Sequence, residues 1–215
     1  MRKAVYPMEM LGRCRHEAGH AAIFWYLGDS FHEANSITIN TTEYKREIDY
    51  FKVRLLFSPQ EAAAMYKTID HPVRKMAETE EETPTMPNVS LAEDHQVREM
   101  LKLQVENAIL ILLGGPLAEF YFHGLPHKAI RRGLKNPVSD AALIREYLIA
   151  LRGKDDRAYQ VRLQAKAWDI IMEARTWSAI NKTADILLEK RYLSGLEIQE
   201  IFEKSGAPQD WTNCL

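Results

Sequence analysis

The chain has 215 residues, 46% of them hydrophobic, which is enough to build one sizeable packed unit. A net charge of −2 without any long basic block argues against nucleic acid as a partner. Its two cysteines, Cys14 and Cys214, lie near opposite ends and form neither a ligand spacing nor a disulfide framework, which suits a reducing, cytoplasmic setting.

No apolar targeting segment follows Arg2 and Lys3. Pro7 can open a helix, the stretch from Met8 to Leu27 has no internal proline, and Gly28 is placed to end it. That helix carries His16-Glu17-Ala18-Gly19-His20, an H-E-x-x-H run. Residues four apart share a helix face, so His16 and His20 can aim two imidazole nitrogens at one metal ion, with the Glu17 carboxylate beside them. Two histidines, an open coordination position and a carboxylate base are the minimum equipment for zinc-assisted amide hydrolysis. The neighbours Leu11, Ala18, Ala21, Ala22, Ile23, Phe24 and Trp25 are small or apolar, so the helix should be largely buried. Ionisable groups on a buried helix need a reason. Cys14 falls on roughly the opposite face from His16 and reads as a small core residue.

Ser36–Thr41 and Phe51–Phe57 alternate apolar and polar residues and read as two strands joined by a charged connection. Ser58-Pro59-Gln60-Glu61 is a capping box with proline at the first helical position, opening a short helix to about Lys67. The Glu-, Thr- and Pro-rich stretch from Ala77 to Asn88 reads as a solvated loop. Ser90-Leu91-Ala92-Glu93 starts a long helix that Gly114-Gly115-Pro116 should kink or break, followed by a last helical piece bearing Glu119 and ending near Gly124. The apolar run Ala108–Ala118 is too short for a bilayer, which takes about 20 residues.

Beyond Ser139 the chain should be all helix. Asp140–Leu151 places Leu143, Tyr147 and Leu151 at helical spacing, and Arg157–Arg175 does so with Val161, Ala165, Trp168 and Met172. Trp177–Tyr192 adds Ile180, Ala184, Leu187 and Leu188, and a capping box at Ser194–Glu197 opens a final helix through Ile201 and Phe202. These stripes read as core. There is neither a G-x-x-x-x-G-K-[ST] nor a G-x-G-x-x-G run, so no nucleotide site is recognisable.

Catalytic zinc usually takes three protein ligands and a water. The residues after His20 exclude an extended H-E-x-x-H-x-x-G-x-x-H pattern. The third ligand is therefore open between Glu119, Asp140 and the looser Asp70, His71, Asp94, His95, His123 and His127.

His16–Ala21 (HEAGHA), Leu113–Glu119 (LGGPLAE), Phe122-His123-Gly124, Asn136–Asp140 opening a helix, and Leu193–Ile198 together resemble the peptidase domain of the FtsH-type AAA+ zinc metalloproteases, without that family's ATPase domain. The resemblance implies a mainly α (α+β), zincin-like helical peptidase domain with a small β-hairpin beside the metal-binding helix. It implies one domain over 1–215, with metal helix, hairpin and Gly-Gly helix in 1–124 and a helical remainder in 125–215. It implies a Zn²⁺ cofactor held by His16, His20 and Asp140, with Glu17 as catalytic base. Glu119 becomes a carboxylate that orients His16 or His20, or else the rival ligand. Gly114 and Gly115 become small residues where their helix crosses the metal helix at Gly19, and the strand Ser36–Thr41 an edge that could hold an extended substrate. The activity implied is metalloendopeptidase action on unfolded or flexible polypeptides. The partners implied are the polypeptide substrate and either further copies of the chain or a separate AAA+ ATPase; charge and the short apolar run argue against nucleic acid and a membrane span. A catalytically silent zinc scaffold and a zinc hydrolase of a non-peptide amide are the alternatives.

Overall fold

The computed structural model describes residues 8–28, 31, 35–39, 50–52, 58–66, 91–124 and 139–210. The predicted acidic loop, Asp70, His71, His127, Cys214 and the connection between the first two strands lie outside them. In chain order the elements are α1 (Met8–Tyr26), β1 (Ser36–Thr38), β2 (Tyr50–Lys52), α2 (59–66), α3 (Leu91–Phe122), α4 (Asp140–Arg152), α5 (Arg157–Met172), α6 (Ala174–Lys190), β3 (Tyr192–Ser194) and α7 (Gly195–Ser205). The fold is mainly helical with one small antiparallel sheet.

α1 is the central element and packs chiefly on α3 and α6. Its small residues Cys14, Ala18, Ala21 and Ala22 are fully buried, as is Ile23. The closest approach is at Gly19 and Gly114. A Cβ on Gly19 would lie 2.3 Å from the Gly114 carbonyl oxygen, and one on Gly114 would lie 2.4 Å from that of Gly19. Only glycine lets two backbones meet this way.

Of the kink or break expected at Gly114-Gly115-Pro116, the break does not occur. α3 runs unbroken from Leu91 to Phe122 with Pro116 inside it. An internal proline costs a helix roughly 3 kcal/mol. Leu113, Leu117 and Ala118 on either side of it are fully buried, and their packing offsets that cost. α3 also contains the one stretch among the described residues, His95–Phe122, that is long and apolar enough to cross a membrane, with mean hydropathy 1.3. The expectation drawn from the shorter run is corrected to that extent, and 67% of its most apolar 18-residue window is buried inside the protein.

The sheet has strand order β2-β1-β3 and is antiparallel throughout. β1 opposes β2 with Ile37 across from Phe51, and opposes β3 with Ile37 across from Leu193. Ile39 N–H donates to the Arg191 carbonyl and Gly195 N–H to that of Asn35, continuing the ladder at both ends. The central place of β1 overturns its expected role as a substrate-holding edge, since both of its sides are already paired.

Helix limits follow their caps. Ser58 and Glu61 form the expected reciprocal pair at α2, with Glu61 Oε2 accepting from the Ser58 N–H at 2.6 Å. The α5–α6 boundary falls at Glu173, whose carboxylate accepts from the Thr176 N–H at 2.6 Å, earlier than the periodicity predicts. α5 is also rotated relative to expectation. Its buried face is Tyr159, Leu163, Ala167, Ile170 and Ile171, while Val161 is 57% exposed and Met172 40%. Two apolar series offset by two residues lie about 200° apart, and contact with α3 selects the richer one. At the C-terminal end of α1, Trp25 stacks on Phe31 and donates through Nε1 to the Ala207 carbonyl at 3.1 Å, tying down the segment after α7.

The α7 capping box is complete. Ser194 N–H and Oγ–H both donate to Glu197 Oε2 at 2.9 Å, and Lys190 donates to Oε1 at 2.6 Å. Lys190 first, then the Ser194 groups, hold the Glu197 carboxyl down to about 2. A depressed carboxyl stabilises the fold above its ordinary value near 4.5, and that contribution is lost as pH falls through about 2. Glu197→Gln should therefore cost up to about 1 kcal/mol near pH 7, modest because the side chain is partly exposed. Denaturant melts of both proteins between pH 7 and pH 2 should show the gap closing towards the acid end.

Candidate metal centre

α1 presents His16 and His20 on the face turned to α3, as their spacing dictates. Opposite them α3 runs antiparallel, setting His123 against Gly12, Glu119 against His16, and Gly115 against His20. Ser139 caps α4 by accepting from the Ala142 N–H, which places Asp140 in the first turn, where backbone N–H groups and the helix dipole favour a carboxylate. From there Asp140 Oδ2 lies 3.0 Å from His16 Nε2 and 3.6 Å from His20 Nε2. One ligand atom each from His16, His20 and Asp140 thus falls within 4.8 Å of the others.

The outer ring nitrogens are occupied. His16 Nδ1 lies 3.0 Å from Glu119 Oε2, and His20 Nδ1 lies 2.7 Å from the Ile111 carbonyl oxygen. Both partners are acceptors, so each Nδ1 carries a proton and each Nε2 faces the cluster. The Gly115 N–H also lies 3.3 Å from His20 Nδ1. A protonated Nδ1 cannot accept in the ring plane, and the shorter contact to Ile111 decides the tautomer. Carboxylate or carbonyl support behind each imidazole is the usual companion of metal-ligating histidine.

Electrostatics reinforces this geometry. Burial alone would depress both histidines, but hydrogen bonds to Asp140 and Glu119 and the field of Glu17 raise His16 well above its ordinary value. Asp140, and to a lesser degree Glu17, raise His20. Burial would raise the Asp140 carboxyl, yet the two imidazoles hold it far below the usual carboxylate range. Glu119 is lowered first by its bond to His16. Glu17 is itself buried and acts on both rings.

The residues fit a divalent cation. Two imidazoles and a carboxylate suit zinc by donor type. A Cβ on Gly115 would sit 2.3 Å from His20 Nε2 and 2.8 Å from His16 Cδ2, so glycine keeps the space over both rings clear.

Among the other residues weighed, His95 and His123 are exposed and stand apart from this cluster. Cys14 is buried in the core. Two contributors escaped the sequence. The Ile111 carbonyl is a backbone group and leaves no sequence signal. Arg15 is buried beside His16, with Nε donating to Asn181 Oδ1 at 3.0 Å and its guanidinium 4.1 Å from the centre of the Phe122 ring, which fixes α1 against α3 and α6. Its signal was a charge directly preceding the motif.

No protein-family model matches this chain, and comparison with the curated proteins gives no match either.

Two predictions follow from the ring contacts. Asp140→Ala should lose zinc far more completely than Glu119→Ala, whose loss of orienting support should weaken binding about 10–100-fold. Competition with a chromogenic chelator ranks them, and a weaker Glu119→Ala would reverse the assignment. Gly115→Ala should impair zinc binding through the His20 ring, whereas Gly19→Ala forces two backbones apart and should lower stability by roughly 1–3 kcal/mol. Thermal melts and metal titration of both variants separate the two effects.

Proposed function

We propose that this chain is a zinc-dependent metalloendopeptidase acting on unfolded or flexible polypeptides, of the kind its motifs resemble in the FtsH-type peptidase domain. The observation that carries the reading is the convergence of His16 Nε2, His20 Nε2 and Asp140 Oδ2 next to a buried Glu17. Bound zinc supplies a Lewis acid that lowers the pKa of water and polarises a carbonyl. His16, His20 and Asp140 would hold that ion, and Glu119 and the Ile111 carbonyl, bonded to the outer nitrogen of each ring, fix the two imidazoles in orientation.

Glu17 takes the proton from the attacking water and hands it to the leaving amine, the role a carboxylate plays when it neighbours ligands without being one. Substrate must reach the site as an extended strand. Among the described residues the outer strands of the sheet are β2 and β3, and β2 packs against α1, so its outer edge is the one suited to pair with a peptide.

Glu17→Gln should retain near-stoichiometric zinc by elemental analysis while peptide hydrolysis falls at least about a hundredfold. Casein digestion by the wild type should stop with a chelator and return with added zinc. Zinc bound without any digestion would leave a scaffold, and digestion insensitive to chelation would remove the metal from the reaction.

A further inference from the structure

Proline is rare in a helix interior, yet Pro116 lies inside α3, directly after the residue that meets the His20 ring. We propose that Pro116 is a positioning residue for His20, opening α3 so that the Ile111 carbonyl is turned out to the imidazole. This role rests on the reading of His16, His20 and Asp140 as metal ligands.

His20 Nδ1 is seated on one rung of the α3 backbone ladder. In a helix the N–H of residue 115 points back at the carbonyl of residue 111, four places earlier. His20 Nδ1 lies 2.7 Å from the Ile111 carbonyl oxygen and 3.3 Å from the Gly115 nitrogen. The ring therefore donates to an oxygen whose regular helical donor is Gly115, which the second lone pair of a carbonyl allows. Carbonyls in a regular helix point nearly along its axis. To meet a donor arriving from another helix, this one must lean outward, and an intact ladder resists that lean. Gly115 gives the ring room, since a Cβ there would lie 2.3 Å from His20 Nε2. Room alone does not turn the carbonyl.

Pro116 supplies the turn. It has no N–H for the Leu112 carbonyl, and a proline ring crowds the oxygen four residues back, so the rung beside the one His20 uses is missing. Residues 112 and 116 follow 111 and 115 by one position, about 100° round the helix. Opening at the missing rung loosens its neighbour. An internal proline and a side chain inserted into the ladder are both causes of such opening, and here they fall on adjacent rungs of one turn. Core filling does not account for the proline. Pro116 is itself partly exposed, while Leu113, Leu117 and Ala118 around it are fully buried.

The experiment is Pro116→Ala in the full chain. Alanine restores the N–H and a regular ladder, so without metal the variant should melt no lower than wild type. Its zinc affinity, read by competition with a chromogenic chelator, should nevertheless fall about tenfold, as when support behind a ligating histidine is lost. In the zinc-loaded proteins the His20 Nδ1 proton, followed by NMR, should exchange with solvent faster in the variant than in wild type. Undiminished zinc affinity in Pro116→Ala overturns the proposal and leaves the metal centre standing, as does an unchanged exchange rate at His20. A variant that melts lower than wild type as well as binding more weakly also overturns it, by making Pro116 a packing residue. Wild type that binds no zinc removes the metal reading itself, and this role with it.

Discussion

The near-contact of Gly19 and Gly114 sets the geometry on which the candidate centre depends. With two backbones touching at that point, α1 and α3 are locked in axial register as well as in separation. Gly12, His16 and His20 then face His123, Glu119 and Gly115 in order, one helical turn at a time. A side chain at either glycine would separate the helices and carry Glu119 away from His16 Nδ1. It would also carry the Ile111 carbonyl away from His20 Nδ1, because that carbonyl belongs to the same turn of α3 as Gly115. Close packing and ring orientation are thus one constraint.

Much of this was legible locally. The H-E-x-x-H spacing, the end of α1 at Gly28 and the capping boxes of α2 and α7 are encoded within a few residues, and the backbone follows them. What was not legible depends on partners distant in sequence. β3 has three residues, too few to show alternation, and becomes a strand only because Ile37 lies opposite Leu193. The α5 face could not be chosen between Val161 and Leu163 without α3. The end of α5 lacks glycine or proline and is set by the Glu173 carboxylate reaching forward to Thr176. Sequence left Asp140 and Glu119 as rivals for one role. In the fold they occupy opposite edges of the same ring, Glu119 at Nδ1 and Asp140 at Nε2 of His16, so each has its own place.

Charge balance gives an argument for a cation that is independent of any motif. Glu17, Glu119 and Asp140 bring three carboxylates to two imidazoles in a largely buried space. With neutral imidazoles the group carries three negative charges, a state that burial penalises heavily. The raised His16 expresses that excess of negative charge, since Asp140, Glu119 and Glu17 all favour its protonated form. Two protons can offset the excess, but protonated imidazoles would each need an acceptor at Nε2, and a single oxygen, Asp140 Oδ2, is shared between both. A divalent cation supplies the same two charges and turns that sharing into an advantage, because it takes one lone pair from each ring and one from the carboxylate. The three donor atoms lie within 4.8 Å of one another and the glycine at 115 leaves the space over both rings clear, so the group could hold such an ion.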